Sequence, residues 1–137
     1  GKAGNDSLLG GGVNDSRNGG GGDDVLDGGT QNDLISGGAG DDDRSGGRGA
    51  DTLNAGPGND TLDGGEGPDK LAGNKGDDLI SGGSGNDALF GGEGNDTMFG
   101  NDDNDFLLAG TGADSIDGGA GNDVIRAYDF DFAGDVT

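Results

Sequence analysis

Aspartate returns at every ninth position of this chain, and fourteen carboxylates held in one phase point to chemistry. They are Asp6, Asp15, Asp24, Asp33, Asp42, Asp51, Asp60, Asp69, Asp78, Asp87, Asp96, Asp105, Asp114 and Asp123. With 28 acidic residues against 7 Lys and Arg, the net charge is −21, which calls for cations. There is no Cys and no His, so thiolate zinc sites and disulfides are excluded. A regular row of carboxylates suits a hard cation that takes oxygen ligands.

The phase extends to other positions. Read in blocks of nine from Gly1, the chain holds register to Arg126 without an insertion or deletion. Position eight is aliphatic or Met in twelve blocks: Leu8, Leu26, Ile35, Leu53, Leu62, Leu71, Ile80, Leu89, Met98, Leu107, Ile116 and Ile125. Position four is Gly in eleven, with Val13, Gln31 and Asp103 as exceptions. Position one is Gly in twelve, with Ala55 and Ala109 as exceptions. A Gly-rich flexible linker would need glycine and polar residues, but not Asp and an aliphatic residue in fixed phase.

Such a block predicts a six-residue turn followed by a three-residue strand. In Gly91–Phe99 the strand is Thr97-Met98-Phe99, and strand alternation sends only Met98 inward. Glycines let the turn use positive φ, and Asn or Asp at position five, present in eleven blocks, tolerates the left-handed region. Two blocks make one 18-residue coil. The expected fold is therefore all-β: a parallel β-roll, or β-helix solenoid, with two short strands per coil. Fourteen blocks give about seven coils, roughly 34 Å long at one strand spacing per coil. Odd blocks stack into one sheet and even blocks into the other. Block n then lies beside block n+2, so Asp78 neighbours Asp96. Carboxylates so close repel by several kcal/mol at a protein-like dielectric. Ca²⁺, which takes six to eight carboxylate and carbonyl oxygens, would relieve this. With one inward apolar residue per block, the chain is expected to fold only as it binds the ion.

The consensus G-G-x-G-x-D-x-U-x, with U a large apolar residue, resembles the RTX (haemolysin-type calcium-binding) repeat family along Gly1–Arg126. The resemblance implies the site pattern. One turn supplies its position-two and position-four carbonyls and its Asp. The turn one coil later supplies its position-one and position-three carbonyls and its Asp. Carried over, one site is Asn74, Gly76 and Asp78 with Gly91, Glu93 and Asp96. Another is Gly65, Gly67 and Asp69 with Gly82, Ser84 and Asp87. Gly56 with Gly58, and Gly83 with Gly85, are the corresponding carbonyl pairs of the flanking turns. Fourteen blocks allow at most twelve Ca²⁺ sites, whose charge would nearly balance the chain.

Composition bounds the rest. Gly contributes 37 residues and only 27% are hydrophobic, which without the repeat would read as disorder. The acidity argues against nucleic acid and anionic membrane, and no segment is apolar enough for a transmembrane helix or laid out as a signal peptide. The organisation expected is a repeat domain over residues 1–126 and a tail over 127–137. The tail alternates Tyr128, Phe130 and Phe132 with Asp and reads as a cap or the start of one. The first block opens directly on position one, as expected of a piece of a larger protein or of a chain packed on another copy.

Departures from the pattern carry their own expectations. Arg17 and Arg44 stand at inward positions. The expected reading is repeat decay with Arg reaching to solvent; the alternative is an Arg–carboxylate pair replacing a cation site. Sites around blocks two to five are expected to be weaker. Phe90, Phe106 and Leu108 point outward on the even sheet and Phe99 on the odd one. These are either scattered surface apolar residues or a docking patch for a parent-protein domain or another copy.

No nucleophile–base constellation is present and a closed roll leaves no pocket, so an enzyme is not expected. The leading expectation is a calcium-responsive folding module of a secreted bacterial protein. The RTX resemblance implies export unfolded through a type I channel and folding outside the cell, with the cell surface as an alternative location. A second expectation is a rigid spacer or lattice element of an adhesin or surface layer. A polysaccharide- or ice-binding face is weaker. Position three is mixed, and Arg48, Lys70 and Lys75 make no convincing basic stripe.

Overall fold

The computed structural model describes residues 1–127, and all fourteen of its elements are strands. In chain order they are β1 (Ser7–Gly11), β2 (Ser16–Gly21), β3 (Val25–Thr30), β4 (Leu34–Ala39), β5 (Asp43–Arg48), β6 (Thr52–Pro57) and β7 (Thr61–Glu66). They continue with β8 (Lys70–Lys75), β9 (Leu79–Ser84), β10 (Ala88–Glu93), β11 (Thr97–Asp102), β12 (Phe106–Thr111), β13 (Ser115–Ala120) and β14 (Val124–Arg126). The odd strands form one seven-stranded sheet and the even strands the other, each in sequential order. All pairings are parallel with an offset of 18 residues, as in Leu89 beside Leu71 and Leu107. The result is the parallel β-roll that the nine-residue period predicts.

The strands are longer than expected. Most run six residues, from position seven of one block through position three of the next, where a three-residue strand and a six-residue turn were expected. The ladder pairs positions seven to nine, omits position one, and resumes at positions two and three: Phe90 lies beside Ala72 and Gly92 beside Asn74. Alternation therefore sends two residues inward per strand. In β7, Leu62 and Gly64 are buried while Thr61, Asp63 and Glu66 are exposed. Glycine at position one had looked like turn material. Its missing side chain is what lets the two sheets close over a core one residue thick.

That core is a column of position-eight residues, Leu26, Ile35, Leu53, Leu62, Leu71, Ile80, Leu89, Met98 and Leu107, with Ala55 and Ala109 from position one. Leu8 and Ile116 pack on it partly buried. Ile125 also occupies the inward phase, but it is 46% exposed at the end of the described roll. The tail proposed as a cap lies, apart from Ala127, outside the described residues.

Positive φ falls at positions two and four, where Gly prevails and where Gln31, Asn74, Asn101 and Asp103 adopt it at 77–81°. Position five, whose Asn and Asp tolerate the left-handed region, does not take that φ among the described residues. Its side-chain oxygen instead accepts the position-five N–H one coil on, as in Asn59 N–H to Asp41 (2.8 Å) and Asn95 N–H to Asp77 (2.7 Å). The Asn and Asp preference there stitches coils together along the outside of each turn row.

Candidate metal centre

The roll gathers all fourteen position-six aspartates into two rows. One holds Asp6, Asp24, Asp42, Asp60, Asp78, Asp96 and Asp114. The other holds Asp15, Asp33, Asp51, Asp69, Asp87, Asp105 and Asp123. Along each row the backbone N–H of one Asp donates to Oδ1 of the Asp one coil later at 2.7–3.0 Å, as from Asp69 to Asp87 (2.8 Å) and from Asp78 to Asp96 (3.0 Å). Each slot between coils is therefore framed by Oδ2 of one Asp and the carboxylate of the next.

Ten of these residues, Asp24 through Asp105, are buried. Nine of the ten carry an Oδ2 with no hydrogen-bond partner: those of Asp24, Asp33, Asp51, Asp60, Asp69, Asp78, Asp87, Asp96 and Asp105. A buried, unpaired carboxylate oxygen is costly, and a repeated one indicates a missing partner. The carboxyls respond accordingly. Burial pushes Asp69 and Asp78 up to about 7 and Asp87 up to about 6, with the neighbouring carboxylates of the row adding to the rise and the backbone N–H opposing it. Burial likewise raises Asp51, Asp96 and Asp105.

Backbone carbonyls complete the lining. A methyl built on Gly64 would meet the Gly82 carbonyl oxygen and lie 2.6 Å from Asp69 Oδ2. One built on Gly73 would meet Asp78 Oδ2 and lie 2.8 Å from the Gly91 oxygen. Position-one carbonyls thus face back to the previous coil, beside its free carboxylate oxygen. The Gly65, Gly67, Asn74 and Gly76 carbonyls face forward, against Gly83, Gly85, Gly92 and Gly94 of the next coil. Gly58 faces Gly76 in the same way. The Ser84 and Glu93 carbonyls face back and each accept an N–H, from Gly67 (2.7 Å) and Gly76 (2.8 Å). Gly56, Gly83 and Gly85 share the positive-φ backbone of these turns. Of the oxygens named from the sequence, those of Gly58, Gly65, Gly67, Asn74, Gly76, Gly82, Ser84, Gly91 and Glu93 are therefore on the surfaces that face each other between coils.

Among the described residues no three His, Cys, Asp or Glu side chains converge as a metal cluster. A cation here would draw on two carboxylates and on main-chain carbonyls, an all-oxygen donor set that fits Ca²⁺ and not a soft metal. The family profile of the RTX calcium-binding nonapeptide repeat, which spans four copies, matches residues 1–16, 18–43, 45–71, 63–98 and 99–131. The chain belongs to the RTX calcium-binding repeat family. Comparison with curated proteins found no match. As an RTX chain it is a calcium-binding repeat module, and the buried Asp rows are the part of the fold that suits the ion.

Two RTX blocks carry Arg at the inward position, and one of them corrects the sequence reading. Arg44 does not reach to solvent: it is 1% exposed, and its Nη2 lies 2.8 Å from Asp42 Oδ2 and 2.9 Å from Asp60 Oδ1. The carboxylate-paired alternative is the one the structure bears out there. Its inward phase, two places after a row Asp, was the signal in the sequence, but phase alone left both outcomes open. Arg17, in β2, is partly buried and contacts Asp15 Oδ2 at 2.9 Å. Sequence reasoning placed the position-one carbonyl in the slots but missed that the absent Cβ of that glycine keeps them open.

Outside the slots, Phe90 and Phe106 pack with their rings tilted and 6.0 Å between centres, with Lys70 over one ring and Arg126 over the other. Both rings and Leu108 are half-buried, while Phe99 is 38% exposed on the other sheet. Arg48 and Lys75 pair with Glu66 and Glu93 one coil later, which leaves the basic side chains spread singly across the surface.

Proposed function

We propose that this chain is the calcium-folded module of a secreted bacterial RTX-type protein, unfolded where Ca²⁺ is scarce and rigid outside the cell. Such a module stabilises its parent protein and couples folding to export, through a type I route in the family's manner. The observation that carries the reading is the repeated free Oδ2: nine buried carboxylate oxygens in two rows need a cation to be compatible with folding. Ca²⁺ binds only the folded rows, so binding and folding are coupled. The extracellular range of about 10⁻⁴–10⁻³ M expected of such modules suits the switch. The module is read as non-catalytic, because its regular carboxylates are committed to the slots. No described helix is long and apolar enough to cross a membrane.

The test is a Ca²⁺ titration followed by circular dichroism and small-angle scattering. Strand signal and compaction should rise together and steeply, and Mg²⁺, which prefers octahedral geometry and keeps its water, should not replace Ca²⁺. Ordered strand structure in excess chelator at neutral pH would refute the reading.

A second reading is favoured by the outward Phe90–Phe106 pair with Leu108 and, on the opposite sheet, Phe99. It makes the roll a stiffened spacer or lattice element that docks through these residues on a parent-protein domain or another copy. Sedimentation of a Phe90→Ser/Phe106→Ser variant in saturating Ca²⁺ tests it: an oligomer lost in the variant supports self-docking, and an unchanged monomer opposes it.

A further inference from the structure

We infer that Arg44 is a built-in replacement for one calcium ion: its guanidinium fills the slot between Asp42 and Asp60, so that this slot takes no metal. The inference rests on the calcium reading of the other slots. Everywhere else in the buried rows, Oδ2 of the first Asp is free; Asp42 is the exception, because Arg44 Nη2 binds it at 2.8 Å. The same nitrogen binds Oδ1 of Asp60 at 2.9 Å, the oxygen that also accepts the Asp42 N–H at 2.8 Å. One positive centre thus bridges the two carboxylates that frame the slot, where the calcium reading places an ion.

The surroundings agree with this assignment. A methyl on Gly37, the position-one residue of the same block, would collide with Arg44 Nη2 and with Asp42 Oδ2. The guanidinium therefore occupies the space beside a position-one glycine that the other blocks leave open next to Oδ2. Arg44 is fully enclosed, and its Nε and Nη1 find no partner. A slot designed around a guanidinium would satisfy those donors. One lined for an oxygen-coordinated ion would not, because a hard cation needs only converging acceptors. The repeat has lost an apolar core residue and gained a tethered charge, which needs no free ion to neutralise this part of the row.

The experiment counts Ca²⁺ bound per full chain at saturation, by calorimetry and by elemental analysis after equilibrium dialysis. Arg44→Leu restores the residue type of this phase, and Arg44→Met provides a second apolar variant of a type already present at Met98. Both should bind one more ion per chain than the unaltered protein. Arg44→Lys, which keeps a charge in the slot, should keep the original count. An unchanged count in the two apolar variants, with strand structure intact, overturns the inference while leaving the calcium reading standing. An apolar variant that forms no roll in excess Ca²⁺ also overturns it, since the ion should be able to replace the guanidinium. If the unaltered chain binds no Ca²⁺ at all, the underlying reading fails as well.

Discussion

At the scale of single residues, the glycine at position one shapes the slots alongside the aspartate. A Cβ at Gly82 would sit 2.5 Å from Asp87 Oδ2 and 2.8 Å from the Gly100 carbonyl oxygen, inside the space a cation would share. Gly82→Ala should therefore raise the Ca²⁺ concentration at half-folding several-fold in a dichroism titration. Gly12→Ala is the matched control. A Cβ there meets only Thr30 Oγ1 at 3.6 Å, ordinary contact, and the titration should not move. Ala55 and Ala109 show that the roll tolerates a methyl at this position, so the expected effect is on affinity and not on whether the fold forms.

At the scale of the elements, most strands contribute one large core residue, and each Asp inside a row borders the slots on either side of it. Leu71 in β8 is fully buried between Leu53 and Leu89 of the flanking strands. Leu71→Ala should cost about 2–5 kcal/mol of stability, read from denaturant midpoints in saturating Ca²⁺. The two-sided role of the aspartates predicts a different asymmetry. Asp69 bonds within its row to both Asp51 and Asp87, whereas Asp6, at the end of its row, meets only Asp24. Asp69→Asn should accordingly remove about twice as much bound Ca²⁺ as Asp6→Asn in a calorimetric count. Equal losses would show that the slots do not share their carboxylates.

At the scale of the whole molecule, the rows make folding depend on acid as well as on metal. The carboxyls of Asp69, Asp78 and Asp87 are raised in the fold, to about 7, 7 and 6, above an ordinary value of 3.8. Protons are then bound more tightly by the roll than by the unfolded chain. Their contribution to stability is fully present below about pH 4 and is lost as the pH rises through 6 to 7. In excess chelator, strand signal should grow as the pH falls from 8 to 5, in samples shown by sedimentation to be unaggregated. With Ca²⁺ the sign reverses, because protons and metal compete for the same oxygens. The Ca²⁺ concentration at half-folding should rise as the pH falls from 7 to 5. A titration midpoint indifferent to pH would mean that the buried carboxylates are not the ligands.

The period of nine was enough to establish where strands fall, though not their six-residue length, together with the two-sheet coil and the pairing of each Asp with the one eighteen residues on. Each of these follows from a repeat that must stack on itself to bury its single apolar residue. Asp78 could be placed beside Asp96, and Met98 in the core, from phase alone. What phase could not decide was how neighbouring coils share space. That Gly64 is a core and slot residue, that Asn59 and Asp41 bridge coils, and that Arg44 turns inward onto Asp42 and Asp60 are consequences of packing across the offset of one coil. There a side chain's fate depends on the atoms of the next layer and not on its own block.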